Sequence, residues 1–122
     1  MTTKIVNARI VKTMFGFEKE IGVCTWNITL ETSDFYTTFG GYRIDTIAKK
    51  TGEICGEAFG LTSLLRMLQA LEISTWEELK DKYIRVQLEI DSTGACRLVA
   101  VGHLMKDTWF NLREFYQEQS NV

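Results

Sequence analysis

Two adjacent glycines interrupt a run of strand-forming residues, and they restrict how this part of the chain can fold. Gly40 and Gly41 lie between Phe39 and Tyr42, directly after the aromatic-rich residues 35–38. Glycine inside a strand costs backbone entropy and offers no side chain to pack. The pair therefore predicts a β-bulge, a sharp bend, or a point where another backbone or a ligand comes close. A turn at a strand end beside core aromatics is the alternative.

Length and charge limit the classes of protein to which the chain can belong. Its 122 residues, of which 45% are hydrophobic, predict a single globular domain over residues 1–122. The formal net charge of −2 has the wrong sign for a protein that binds DNA through its phosphates, although a few local cations would suffice for one small anion. No segment approaches the roughly 20 apolar residues of a membrane span, so we expect a cytoplasmic protein with no membrane partner.

The alternation of apolar and polar residues indicates the strands. It predicts five of them, over residues 5–11, 21–30, 35–44, 83–90 and 96–101. Short polar breaks between the first three indicate an antiparallel meander, and residues 91–94 are typical of a hairpin turn. The polar residues 45–57 are interpreted as a surface excursion or hairpin.

Leucine spacing predicts the main helix. Five leucines recur with a helical period after Gly60 and are expected to pack as one stripe against the sheet: Leu61, Leu64, Leu65, Leu68 and Leu71. Thr62 or Ser63 is the expected cap of this helix, and shorter helices are predicted near Trp76 and over residues 111–117. The fold class is therefore α+β: an antiparallel sheet of about five strands, packed by one main amphipathic helix and two short helices.

Residues for catalysis and metal binding are sparse. The three cysteines, Cys24, Cys55 and Cys96, are widely spaced and odd in number, which favours buried, inert thiols over disulfides. Together with His103, the single histidine, they lack the spacing of a metal site. There is no phosphate loop or dinucleotide motif. We therefore predict no enzyme, no catalytic residue, no metal and no cofactor, and a hydrolase that uses His103 is the weaker alternative.

The remaining chemistry is that of recognition. Arginine suits phosphate because its planar guanidinium forms two parallel charge-assisted hydrogen bonds, and Arg43, Arg66 and Arg85 are the candidates. Aromatic side chains such as Phe59 offer faces on which a nucleobase can stack. For each arginine the alternative is an ordinary solvated side chain.

Several segments, in this order and spacing, resemble one family. They are residues 22–30, 39–42, 58–60 with Arg66, 76–79, 83–86, 102–104, 106–107 and 109–110. Together they resemble the phage anti-Thoeris proteins, which act as sponges for the cyclic ADP-ribose signal of bacterial Thoeris immunity. One departure is that Phe35 and Tyr36 stand where the family usually has a glycine-rich polar stretch, which changes the shape expected for the pocket.

The resemblance implies a non-enzymatic function in the cytoplasm of the host cell. Family members bind glycocyclic ADP-ribose signals and hold them intact, and some also bind cyclic di- or trinucleotides. They form dimers, or hexamers built from dimers, with pockets near subunit interfaces. By position, the resemblance implies these ligand-binding residues: Phe39, Gly40, Gly41, Tyr42, Phe59, Arg66 and Arg85. The alternative function is a phage inhibitor that binds a host defence protein directly, through a flat patch of exposed aromatics.

Overall fold

The computed structural model describes residues 2–20 and 22–120, with the backbone alone for Tyr42, Gln119 and Ser120. Its strands are β1 (Thr2–Phe17), β2 (Cys24–Glu31), β3 (Tyr36–Arg43), β4 (Asp45–Ile47), β5 (Ile54–Gly56), β6 (Tyr83–Ile90), β7 (Cys96–Gly102) and β8 (Trp109–Asn111). Its helices are α1 (Ala58–Leu71) and α2 (Leu112–Ser120), with a short 3-10 helix at Trp76–Glu78. The predicted α+β class is confirmed.

The main sheet has six antiparallel strands in the order β3-β2-β1-β6-β7-β8, and β4 and β5 form a separate hairpin. The predicted meander of the first three strands is confirmed, as is the hairpin between β6 and β7. The sequence did not indicate β8, because its three residues carry no visible alternation. Asn111 ends this strand and also caps α2, since its side-chain oxygen accepts a hydrogen bond from the Glu114 amide at 3.0 Å.

The two edges of this sheet meet. Phe39 on β3 and Phe110 on β8 belong to the outermost strands, yet their ring centroids lie only 6.2 Å apart, edge to face. In a flat sheet of six strands the edges would be about 24 Å apart, from five spacings of about 4.8 Å. The sheet is therefore rolled around one core, and α2 lies where its edges approach each other.

Helix α1 lies against the concave side of the rolled sheet. The indole of Trp26, which is fully buried, donates a hydrogen bond to the Ser63 hydroxyl of α1 at 3.1 Å. The helix begins earlier than predicted, because the Glu57 carboxylate accepts hydrogen bonds from the amides of Phe59 and Gly60. The predicted caps Thr62 and Ser63 are therefore inside the helix.

The predicted leucine stripe is wrong for two of its five members. Leu61 and Leu65 are 43% and 56% exposed. The buried side of α1 consists of Gly60, Ser63, Leu64, Met67, Ala70 and Leu71. A Cβ atom on Gly60 would collide with the Arg43 carbonyl oxygen. Gly60 therefore lies where α1 comes closest to the end of β3, because only a residue without a side chain lets the two backbones approach this far.

Candidate ligand-binding cleft

The Gly40–Gly41 pair forms a β-bulge, which is one of the alternatives that the sequence left open. Gly40 pairs with Asn27, whereas Arg43 pairs with Thr25, so β3 has one residue more than β2 over this stretch. Both glycines have positive φ, +100° and +92°, a conformation that favours glycine. A Cβ on Gly40 would lie 2.8 Å from the carbonyl oxygen of Trp26, whereas one on Gly41 would meet no atom within 4 Å. The protein's own backbone therefore makes the close approach at Gly40.

A cleft of about 690 Å³ lies between edge strand β3, strand β7 and helix α2, and we call it the α2 cleft. Its volume falls within the range of about 300–1,000 Å³ that is usual for small-molecule sites. The apolar part of its lining comes from Phe39, Leu98, Val99 and Leu112, with the half-buried ring of Tyr116 beside them. This cleft exists because the rolled sheet brings β3 towards β7.

Three charged side chains meet at the rim of this cleft. The Arg113 guanidinium donates to both carboxylate oxygens of Glu89, with a distance of 2.9 Å from Nη1 to Oε2. Glu89 also lies directly opposite Arg97 in the β6–β7 pairing. These hydrogen bonds from Arg113, with the positive charges of Arg113 and Arg97, hold the pKa of Glu89 below its ordinary value. Arg97 and Arg113 line the α2 cleft together with the polar side chains of Thr38 and Gln117.

A second depression, of about 530 Å³, lies between α1, β8 and α2, and we call it the helix groove. It contains Arg66, whose guanidinium carbon lies 5.9 Å from the ring centroid of Phe115. Phe59 packs behind this position. Its ring stacks on Phe115 at 4.9 Å and contacts the edge of Tyr116 at 4.4 Å. Phe59 therefore holds α1 and α2 together, and Tyr116 separates it from the α2 cleft.

Arg85 has a different set of partners. Its Nε donates to the His103 carbonyl at 2.9 Å and its Nη2 donates to the Lys106 carbonyl at 2.7 Å. Its guanidinium also stacks over the Trp109 ring at 4.9 Å. The ring in turn occupies the space above Gly102, where a Cβ would lie 2.6 Å from the indole. Arg85 thus fastens the loop of residues 103–108 to the sheet.

The single histidine belongs to the same loop. His103 Nδ1 accepts hydrogen bonds from the amides of Met105 and Lys106, both at 3.0 Å. Its Nε2 lies 3.4 Å from a carboxylate oxygen of Glu72, which also pairs with the Lys106 ammonium at 2.8 Å. With Nδ1 occupied in this way, the imidazole organises the loop and has no free lone pair for a general base.

The structure therefore divides the residues that the sequence singled out. Phe39 and Gly40 lie in the wall of the α2 cleft. Arg66 lies in the helix groove and Arg85 holds the 103–108 loop. Gly41 lies at the exposed bulge, and the side chain of Tyr42 lies outside the described residues.

Sequence reasoning missed Arg97 and Arg113. Counting outwards from the predicted turn at residues 91–94 would have placed Arg97 opposite Leu88. The observed loop has one residue more, because Ile90 pairs with Cys96, and this extra residue moves Arg97 to the position opposite Glu89. The position of Arg113 depends on where α2 packs, and no local pattern encodes that.

The cysteines do not form a reactive or metal-binding cluster among residues 2–20 and 22–120. Within this part of the chain, no group of three or more His, Cys, Asp or Glu residues is placed to hold a metal ion. The prediction of buried thiols is wrong for Cys55 and Cys96, which are exposed, whereas Cys24 is half-buried. Burial raises the pKa of the Cys24 thiol, which disfavours the nucleophilic thiolate.

Comparisons with known proteins identified no relative of this chain. No family model, curated protein or solved structure matches the chain. In the described part of the chain, no helix has the length and apolar character needed to cross a membrane.

Proposed function

We propose that this protein is a phage anti-defence sponge, which binds a cyclic nucleotide immune signal in the α2 cleft and holds it intact. The ligand class, glycocyclic ADP-ribose with cyclic di- and trinucleotides as further candidates, comes from the anti-Thoeris resemblance. The observation that carries the proposal is the cleft itself, in which two arginines stand beside an apolar wall. A nucleotide needs this combination, because it joins flat apolar bases to anionic phosphates.

The chemistry of the lining supports binding without cleavage. None of the described residues that line the α2 cleft is an Asp, Glu, His or Cys. Side chains of these types are the usual donors of a proton to a leaving group, and among the described lining residues only the hydroxyl of Tyr116 could take that role. Neither a catalytic residue nor a cofactor is part of this proposal.

We include self-assembly in the proposal, as homodimers or as hexamers built from dimers, in the cytoplasm of the infected host. Leu61 and Leu65 lie one turn apart on the exposed side of α1. Burying two such side chains against a second copy would remove apolar surface from water, which favours association.

Isothermal titration with cyclic ADP-ribose isomers and cyclic dinucleotides tests the proposal. We expect at least one member of the panel to bind, and heating the complex should release that ligand with its mass unchanged. Native mass spectrometry of the same complex gives the number of chains and ligands together. Release of a linear product would overturn the sponge in favour of a hydrolase.

One observation favours the alternative of a protein inhibitor. Four exposed aliphatic side chains lie on α1 and on the β4–β5 hairpin: Leu61, Leu65, Ile47 and Ile54. Such side chains, when they adjoin, form the kind of patch that binds a protein surface. The absence of binding across the nucleotide panel would favour this function.

A further inference from the structure

Two like charges flank one opposite charge at the rim of the α2 cleft. Glu89 lies between Arg97, its partner across β6 and β7, and Arg113, its partner from the first turn of α2. The side chain of Glu89 is 15% exposed, whereas that of Arg113 is 41% exposed. The carboxylate pairs with Arg113 and lies opposite Arg97 in the sheet, so the three side chains together carry a net positive charge.

The two arginines differ in how fully they are engaged. Arg113 forms a two-pronged pair with Glu89. No hydrogen bond or ion pair within the described residues involves Arg97, which is exposed and lines the cleft. A guanidinium with unused donors beside an apolar wall is suited to an anionic group of a ligand.

The arginines chosen from the sequence lie elsewhere. Arg43 Nε donates to Asp45 at 2.9 Å, and two backbone carbonyls accept hydrogen bonds from Arg85. Arg66 lies in the helix groove, on the other side of α2 from Arg97. The arginines that line the α2 cleft are Arg97 and Arg113, which the sequence did not indicate.

We propose that Arg97 and Arg113 form the phosphate subsite of the α2 cleft, with Glu89, which pairs with Arg113, as a built-in competitor for that arginine. That a nucleotide binds in this cleft rests on the function proposed above. The arrangement of Glu89 with Arg97 and Arg113 does not depend on that function. A phosphate that binds Arg97 must share Arg113 with Glu89 or displace Glu89 from it. A two-pronged pair with a carboxylate that is only 15% exposed is stronger than a typical surface ion pair. A ligand must therefore make further contacts to the apolar wall in order to displace the carboxylate.

This competition gives selectivity. A bare phosphate meets the repulsion of Glu89 and gains nothing from Leu98 or Tyr116, the partly exposed side chains of the apolar wall. A nucleotide meets the same repulsion but also buries its base and ribose against that wall, so its net affinity is higher. Discrimination by a repulsive element against the unwanted ligand is a general route to specificity.

NMR titration of the protein with inorganic pyrophosphate, and separately with cyclic ADP-ribose, tests the subsite. Glu89→Gln should bind pyrophosphate about threefold or more tightly than the unchanged protein, because Arg113 is released and a repulsive charge is removed. Arg97→Ala should weaken binding of either probe about tenfold or more, as expected when a charge-assisted hydrogen bond is lost. Arg66→Ala, an exposed arginine outside this cleft, is the matched control and should change neither affinity.

The outcomes separate the two proposals. If the affinities of the variants for pyrophosphate rank as predicted but no cyclic nucleotide binds, the subsite is supported and the proposed ligand class is wrong. If cyclic ADP-ribose binds the Arg97→Ala and Arg66→Ala variants equally well, the subsite is wrong and the sponge remains. Failure of pyrophosphate to bind either the unchanged protein or Glu89→Gln overturns the subsite. Arg97→Gln replaces Arg97→Ala if the latter does not unfold cooperatively.

Discussion

Gly40 lies so close to Trp26 that a Cβ atom on the glycine would come within 2.8 Å of the Trp26 carbonyl oxygen and 2.9 Å of its ring. Trp26 is fully buried and is itself fixed by the hydrogen bond from its indole to Ser63 of α1. The bulge in β3, the central tryptophan and the main helix thus form one packed unit. The wall of the α2 cleft that contains Phe39 and Gly40 is built on this unit and is expected to be rigid.

Gly40→Ala should destabilise the protein more than Gly41→Ala. Both substitutions force alanine into a positive φ, which costs about 1–2 kcal/mol. Alanine at position 40 adds a collision with Trp26, and we expect a total loss of about 3 kcal/mol. Urea unfolding of the two variants and the unchanged protein measures the difference. Equal losses would mean that Trp26 moves aside and that the bulge is not rigid.

The two sides of α1 should respond differently to truncation. Leu64→Ala removes a side chain that is 4% exposed and should cost about 2–5 kcal/mol, since a cavity remains in the core. Leu65→Ala, at a position 56% exposed, should change the free energy of unfolding of a monomer by no more than about 0.5 kcal/mol.

The same pair reports on assembly. Light scattering after size-exclusion chromatography should show fewer dimers for Leu65→Ala if the exposed side of α1 is the contact between copies. Unchanged assembly in that variant would exclude Leu65 from the contact.

Local patterns were sufficient for most of the fold. The alternation in residues 83–90 predicted the bounds of β6, and the glycine pair indicated an irregularity in β3, of which a bulge was one of the possible forms. The leucine period predicted a helix but the wrong buried side. The side of α1 that faces the sheet is set by the close contact between Gly60 and the Arg43 backbone. A hydrophobic period indicates which residues share a side, whereas the closest approach of two backbones depends on the smallest residues.

The candidate site was harder to predict for a physical reason. The α2 cleft exists only because the sheet rolls until Phe39 approaches Phe110, two residues far apart in sequence. Arg85 looked suitable for a ligand because it stands alone on a strand. Its real partners are backbone carbonyls of a distant loop, and no sequence pattern marks a carbonyl as an acceptor.

Arg85→Ala is therefore expected to make the loop of residues 103–108 more mobile, without a change in the affinity for the ligand. Removal of two hydrogen bonds to the carbonyls of His103 and Lys106 should destabilise the protein by about 1–3 kcal/mol. Hydrogen exchange of the amides in residues 103–108 should become faster, because the loop opens more readily. The affinity for cyclic ADP-ribose should stay within about twofold of the unchanged protein, whereas a tenfold loss would place Arg85 in the ligand site.

A fall in pH should lower the free energy of unfolding, partly because Glu89 becomes protonated. Hydrogen bonds from Arg113 lower the pKa of Glu89 in the folded protein from its ordinary value of 4.5. A carboxyl group with a lowered pKa contributes stability above its unfolded pKa and loses that contribution as the pH falls through the folded value. As the pH is lowered from about 6 to about 3, the urea concentration at the midpoint of unfolding should therefore decrease. It should decrease less in Glu89→Gln, which does not titrate.

Asp91→Asn provides the comparison, since hydrogen bonds from Thr93 and nearby amides also lower the pKa of Asp91, at a turn that Arg113 does not contact. If Glu89→Gln and the unchanged protein show the same pH dependence while Asp91→Asn shows a smaller one, the Glu89–Arg113 pair does not form in solution.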